Sequence, residues 1–203
     1  MARRFDCIAC GKCCYGWLPL TLDDAFSNIE RFPLFIVWTP VRKGGKSFEQ
    51  TARLGVTIKL KKRKQAALRI SPVAYIPPSM PCPELTDAGL CAIHGNKPLR
   101  CRAMPFDASR SEADQTDLLI PRAGWLCDTS EKAPDVYGGG KIIGRENFDR
   151  ERSALLSDAS ILRPYGEWLL DSVPSLRQEI MKVASRPRGG YVVVNFLTLI
   201  PRL

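Results

Sequence analysis

No apolar run in this chain reaches the roughly 20 residues that a membrane-spanning helix needs; the longest, residues 191–200, is about half that and is interrupted by Asn195 and Thr198. A membrane span is therefore not expected. Arg3 and Arg4 are followed by no apolar stretch, so a secretory signal is not expected either, and the predicted location is cytoplasmic. Internal repeats and low-complexity segments are missing. There is one histidine, His94. The glycine-rich stretch Gly138-Gly139-Gly140-Lys141 lacks the spacing and the closing Ser or Thr of a phosphate-binding loop, so a linker turn is the preferred reading over a nucleotide cradle.

What the chain does have is a 45% hydrophobic composition over 203 residues, enough for a sizeable core. Sixteen prolines and fifteen glycines, many between residues 33 and 145, point to an irregular, loop-rich body that needs extra constraint. Thirty Lys and Arg against 21 Asp and Glu give +9, a balance that suits nucleic acid or anionic surfaces. A metal held by four thiolates carries about two net negative charges and also calls for cations. Arg3, Arg4, Lys12, Lys97, Arg100 and Arg102 all lie within a few positions of a cysteine.

Thr21 is placed to cap a helix that carries Asp23 and Asp24 in its first turn and runs until Pro33. Residues 34–38 read as a short buried strand, and residues 56–60 and 67–70 as a hairpin across Lys61-Lys62-Arg63-Lys64. Residues 77–110, with six prolines and three cysteines, should be mostly loop. Residues 146–156 and 164–184 have helical composition, and residues 191–197 have the β-branched and aromatic content of a strand. The expected fold is α+β: a small, irregular, metal-scaffolded domain with short strands, few helices and long loops. Residues 1–144 form the cysteine-cluster body, and residues 145–203 a helical segment packed on the same domain and ending in a strand.

Eight cysteines carry the chemistry. Cys7, Cys10, Cys13 and Cys14 fall as C-x2-C-x2-C-C, and Cys82, Cys91, Cys101 and Cys127 follow. Two cysteines separated by two residues can curl the backbone around one metal, with Gly11 supplying freedom; the second such step gives the local spacing of ferredoxin-type loops, which need a distant fourth ligand. Cys82, Cys91 and Cys101 are candidates for it. Cys14 cannot simply join Cys13, because adjacent side chains diverge, so it serves a second or a shared site. Eight thiolates divide into two sites of four, with the His94 imidazole as an alternative ligand, and the partition stays open. A disulfide framework is disfavoured by the vicinal Cys13-Cys14 pair and by chain length.

Phe5-Asp6-Cys7-Ile8-Ala9-Cys10-Gly11-Lys12-Cys13-Cys14, then Leu20-Thr21-Leu22-Asp23-Asp24, then Cys82-Pro83-Glu84-Leu85, Cys91-Ala92-Ile93-His94 and Pro98-Leu99-Arg100-Cys101-Arg102 together resemble the CxxCxxCC family of zinc- or iron-chelating proteins. These are also called YkgJ-like cysteine-cluster or Fe–S-cluster-containing proteins, and flagellin lysine N-methylases carry a similar motif. The resemblance covers residues 5–24 and 82–106 and implies metal ligation by Cys7, Cys10, Cys13, Cys14, Cys82, Cys91 and Cys101. Cys127 resembles a late family cysteine only loosely, and residues 145–203 match nothing recognisable.

Arg100 and Arg102 flank Cys101 and can offset thiolate charge or donate to a bound cofactor or anionic substrate. Lys59-Leu60-Lys61-Lys62-Arg63-Lys64 is the densest basic run; no aromatic residues interleave with it, so a solvated hairpin tip is preferred over a nucleic-acid contact. The functional expectation is an iron–sulfur protein with an electron-transfer or accessory redox role, acting with an unidentified protein or redox partner. A zinc-stabilised module contacting nucleic acid or an acidic protein is the first alternative, and a methyl-transfer type of protein-modifying enzyme the second.

Overall fold

The chain enters through β1 (Arg3–Arg4), passes the first four cysteines, and lays down β2 (Gly16–Pro19) and α1 (Leu22–Ser27). β3 (Leu34–Arg42), α2 (Phe48–Leu54), β4 (Val56–Lys59) and β5 (Gln65–Ile76) follow. A long irregular stretch then carries the short α3 (Leu99–Arg102) and several 3-10 turns. β6 (Asp135–Gly138), β7 (Lys141–Ile142), α4 (Glu146–Ser172), α5 (Pro174–Ser185) and β8 (Val192–Asn195) complete an α+β fold. The computed structural model describes residues 2–14, 16–77, 79–80 and 82–203, leaving aside the side chain of Lys62. Met1 and, of the prolines expected to keep residues 77–110 in loop, Pro78 and Pro81 lie outside the described residues.

β5 organises the main sheet, whose order is β2-β5-β3-β8 with β4 also pairing to β5. β3 runs antiparallel to β5 from Leu34 opposite Ala74 to Arg42 opposite Ala66. The other edge of β5 is shared: β4 takes Gln65 to Leu68 and β2 takes Val73 to Ile76. Residues 69–72 face the gap between them, which is where Pro72, lacking an N–H, is tolerated. Ile36, Trp38, Leu68, Ile70 and Ala74 of the sheet pack against Leu162, Tyr165 and Leu169 of α4 and Ile180 of α5. Burying such side chains contributes about 1.5–3 kcal/mol each. A smaller cluster gathers Phe5, Phe106, Leu119, Tyr137, Ile142 and Phe148.

Local readings hold where one residue decides them. The Thr21 hydroxyl accepts from the Asp24 N–H at 3.1 Å and starts α1. The 56–70 hairpin forms, and the tail strand returns to the main sheet by pairing β8 with β3. Other boundaries move: the strand expected at residues 34–38 runs on to Arg42, and the one expected at 67–70 spans Gln65–Ile76. α1 ends at Ser27 and not near Phe32, because the Asn28 side-chain amide donates to the Asp24 carbonyl at 2.8 Å and closes the helix early. The tail strand stops at Asn195, whose side chain accepts from the Leu197 N–H and turns the chain. The two helical segments divide at Pro174, not between residues 156 and 164: Pro164 sits inside α4, while Val173 leaves the helical conformation (φ −125°, ψ 82°) before Pro174. Helix continues past Pro164 because Leu162, Tyr165 and Leu169 all belong to the face buried on the sheet.

Candidate metal centre

The first four cysteines lie on a curled loop. Ala9 (φ 58°) and Gly11 (φ 68°) are both left-handed, and the Cys14 N–H donates to the Gly11 carbonyl at 3.0 Å. Gly11 is pressed against the loop that carries the later cysteines. A Cβ there would come within 2.7 Å of Leu85 Cδ2 and 2.8 Å of the Gly89 carbonyl oxygen, so glycine is required for both its φ and its lack of side chain.

That second loop is itself closed: Leu85 pairs with Cys91 in an antiparallel bridge, the Leu85 N–H donates to the Cys82 carbonyl at 3.0 Å, and the Ala92 N–H to the Glu84 carbonyl at 2.7 Å. Cys101 follows on α3. The Asp24 carboxylate accepts from the Leu99 N–H at 2.9 Å and caps that helix, and Asp158 of α4 accepts from the Leu22 N–H at 2.9 Å and caps α1. A relay of two carboxylates thus ties Cys101 to α4 through α1.

Cys127 is brought in from the far side by the isolated bridge between Asp6 and Asp128, which exchange hydrogen bonds of 2.8 and 3.1 Å. The neighbours of such a pair oppose one another with side chains closer still, so Cys7 and Cys127 share one face.

All eight cysteines are free thiols. The Cys14 thiol hydrogen-bonds the Cys13 sulfur, which draws Cys13 down to about 6 and pushes Cys14 far up. Lys97 and Arg100 add to the lowering at Cys13. Burial, then the charge of Cys13, pushes Cys101 up to about 12; burial also raises Cys82, with Cys91 and Cys13 adding to it. Cys127 is raised by burial and by Cys10, Cys13 and Cys7. Cys14 feels Cys13, Cys82 and Cys101. The sulfurs therefore lie within electrostatic reach of one another from three stretches of chain, with Cys13 common to both halves. They are grouped and not closed: among the described residues, no three His, Cys, Asp or Glu side chains stand as a metal-holding set. The donor chemistry itself, soft thiols with Lys97 and Arg100 beside them, suits zinc or iron.

A family model described as "CxxCxxCC: Putative zinc- or iron-chelating domain" matches residues 6–118, more than half of the chain. The chain belongs to the CxxCxxCC family. No curated protein and no solved structure matches it. The CxxCxxCC match spans seven of the cysteines together with Asp24 and Arg100, and it ends before Cys127. Membership supports binding of zinc or iron.

The remaining candidates fall around this centre. Arg100 turns inward, donating to the Phe106 carbonyl and standing 3.7 Å from the Glu151 carboxylate. Arg102 donates to the Lys97 carbonyl at 2.7 Å and to Asn96 at 3.1 Å, and with Lys97, Asp23 and Asp149 it lines an open polar cleft of about 860 Å³. His94 is exposed in a 3-10 turn. Lys61–Arg63 form the tip between β4 and β5, and β5 keeps that tip roughly 35 Å from the Cys14 end of the sheet. Gly139 and Gly140 form the turn of the β6–β7 hairpin, in line with a linker role. No helix among the described residues is long and apolar enough to cross a membrane. Sequence reasoning missed Asp24, Asp158 and Glu151 as supports of the centre. Only the Leu20-Thr21-Leu22-Asp23-Asp24 block carried a signal, and it was read as a helix start and as part of the family resemblance, without a role for Asp24 at the centre.

Proposed function

We propose that this chain is a thiolate metal protein in which Cys7, Cys10, Cys13, Cys14, Cys82, Cys91, Cys101 and Cys127 form two adjoining sites of four sulfurs. Cys7, Cys10, Cys13 and Cys127 make one, and Cys14, Cys82, Cys91 and Cys101 the other. The observation that supports the division is the pattern of mutual charge effects: Cys127 senses Cys10, Cys13 and Cys7, whereas Cys14 senses Cys82 and Cys101, and Cys91 acts on both of these. Cys13 reaches Cys14, Cys82 and Cys101 as well, and so lies where the two sites would adjoin. The vicinal pair is then the seam, since the Cys13 and Cys14 sulfurs touch through a hydrogen bond and the two sites would adjoin there.

The metal is iron, as iron–sulfur clusters, and the role is electron transfer or accessory redox work with a protein partner inside the cell. The C-x2-C-x2-C triple with a remote fourth cysteine matches the ligand spacing of ferredoxin-type clusters. When bound, such a cluster supplies one-electron chemistry; Arg100, Arg102 and Lys97 would offset its charge and, at the cleft, meet an acidic partner.

Purification without oxygen, followed by iron, zinc and acid-labile sulfide analysis and a visible spectrum, tests this. Brown protein with iron and sulfide is expected. Colourless protein with zinc at two per chain would replace the redox reading with a structural one, and protein free of both metals would sink it.

A further inference from the structure

Beside Arg100 the structure forms a small, partly open cavity of about 30 Å³ in the gap between β2 and β4. Its polar wall is Arg69, Arg100, Asp107, Ser109 and Glu151. Half of this wall is satisfied internally: Arg69 donates to the Ser109 hydroxyl at 2.5 Å, and that hydroxyl donates to Asp107 Oδ1 at 2.6 Å. Glu151 is not. Its side chain is 5% exposed, and Oε2 has no hydrogen-bond partner although Arg100 Nη1 stands 3.7 Å away. A buried carboxylate oxygen without a partner costs several kcal/mol unless a water or a proton meets it. A cavity of this size holds one or two waters.

We infer that this cavity is a buried water and proton site, and that Glu151 takes up a proton when metal binding makes the cysteine centre more negative. The inference rests on the metal reading above. Arg100 is the connecting group: its charge lowers Cys13 and Cys101 on one side and Glu151 and Asp107 on the other. A neutral Glu151 leaves Arg100 to face the sulfurs alone. When zinc binds, each ligating cysteine that is still a thiol gives its proton to solvent, the metal stays divalent, and up to one proton from solvent moves onto the Glu151 carboxylate.

The surroundings support a carboxyl poised for this. Burial raises Glu151 to about 7, with Arg100 and a backbone hydrogen bond from Ala108 opposing and the charges of Asp107 and Asp24 adding. Arg152 on its own helix and Arg69 on β5 are the other charged groups around it.

Zinc titration of the reduced metal-free protein, by calorimetry in buffers of different ionisation enthalpy, counts the protons released. Near about pH 7.5 the wild type should release fewer protons than Glu151→Gln, by a few tenths to one per chain. The difference should vanish near about pH 5.5, where the carboxyl is already protonated. Equal counts at both pH values, with zinc bound by both proteins, overturn this inference and leave the metal reading standing, as does a wild type that binds zinc beside a variant that does not; failure of the wild type to bind zinc overturns both. Infrared pH titration of the metal-free wild type needs no variant. A protonated carboxyl band that disappears near neutrality is expected, and loss of every such band by about pH 5 sinks the proposal.

Discussion

Gly11 and Gly89 lie so close that a Cβ on the first would sit 2.8 Å from the carbonyl oxygen of the second. The two cysteine loops are thus locked backbone to backbone. Gly11→Ala must either widen that contact or strain a left-handed alanine, at a cost of about 1–3 kcal/mol. Metal content per chain should fall with it, measured alongside a urea unfolding curve. Full metal occupancy at unchanged stability would show that the loops are not locked through this contact.

Asp24→Ala removes the acceptor for the Leu99 N–H, and loss of such a cap costs about 0.5–2 kcal/mol. The local consequence is fraying of α3. Cys101 in the metal-free protein should react faster with an alkylating reagent, while Cys127, held by the Asp6–Asp128 bridge, should keep its rate. Parallel acceleration at both cysteines would point to global loosening instead.

Gly166 in α4 has no room for a side chain: a Cβ would lie 2.3 Å from Ile70 Cδ1 and 3.0 Å from Val56 Cγ2. Gly166→Ala gains helix propensity worth under about 1 kcal/mol and overpacks the helix against the sheet for about 1–3 kcal/mol. Net destabilisation is the expected sign in thermal melts. A raised melting temperature would mean that α4 shifts freely on the sheet.

The folded-state Glu151 titrates at about 7 and Asp158 at about 6, both above their unfolded values and both chiefly through burial. The folded protein then binds more protons than the unfolded one between about pH 4.5 and about pH 7, so these two groups lower stability as pH rises through that window. Glu151→Gln, which cannot ionise, should gain in urea midpoint relative to wild type between about pH 5 and about pH 8. A wild-type advantage that grows with pH would reverse the sign of this account.

Sequence made the fold legible where a single local rule decided the outcome: the Thr21 cap, the alternation through Val56 and Ile58, and the β-branched run at Val192. It failed at Pro164, because the burial of Leu162, Tyr165 and Leu169 on a distant sheet outweighs a proline's local cost. At the site, the cysteines and their family were readable from spacing. Their grouping was not, since the Asp6–Asp128 bridge that delivers Cys127 joins residues with no sequence relation. Glu151 looked like any charged residue on a helix. Only packing shows that it lies beside Arg100 on the wall of a small cavity.

β3 has two partners, β5 beside it early in the chain and β8 from residues 192–195. During synthesis, one side of β3 must wait until that late segment has left the ribosome. All eight cysteines emerge before it does. The thiols are therefore free to meet their ion on a nascent chain whose sheet is still open, so a supply of metal at that moment can shape the order in which the molecule assembles.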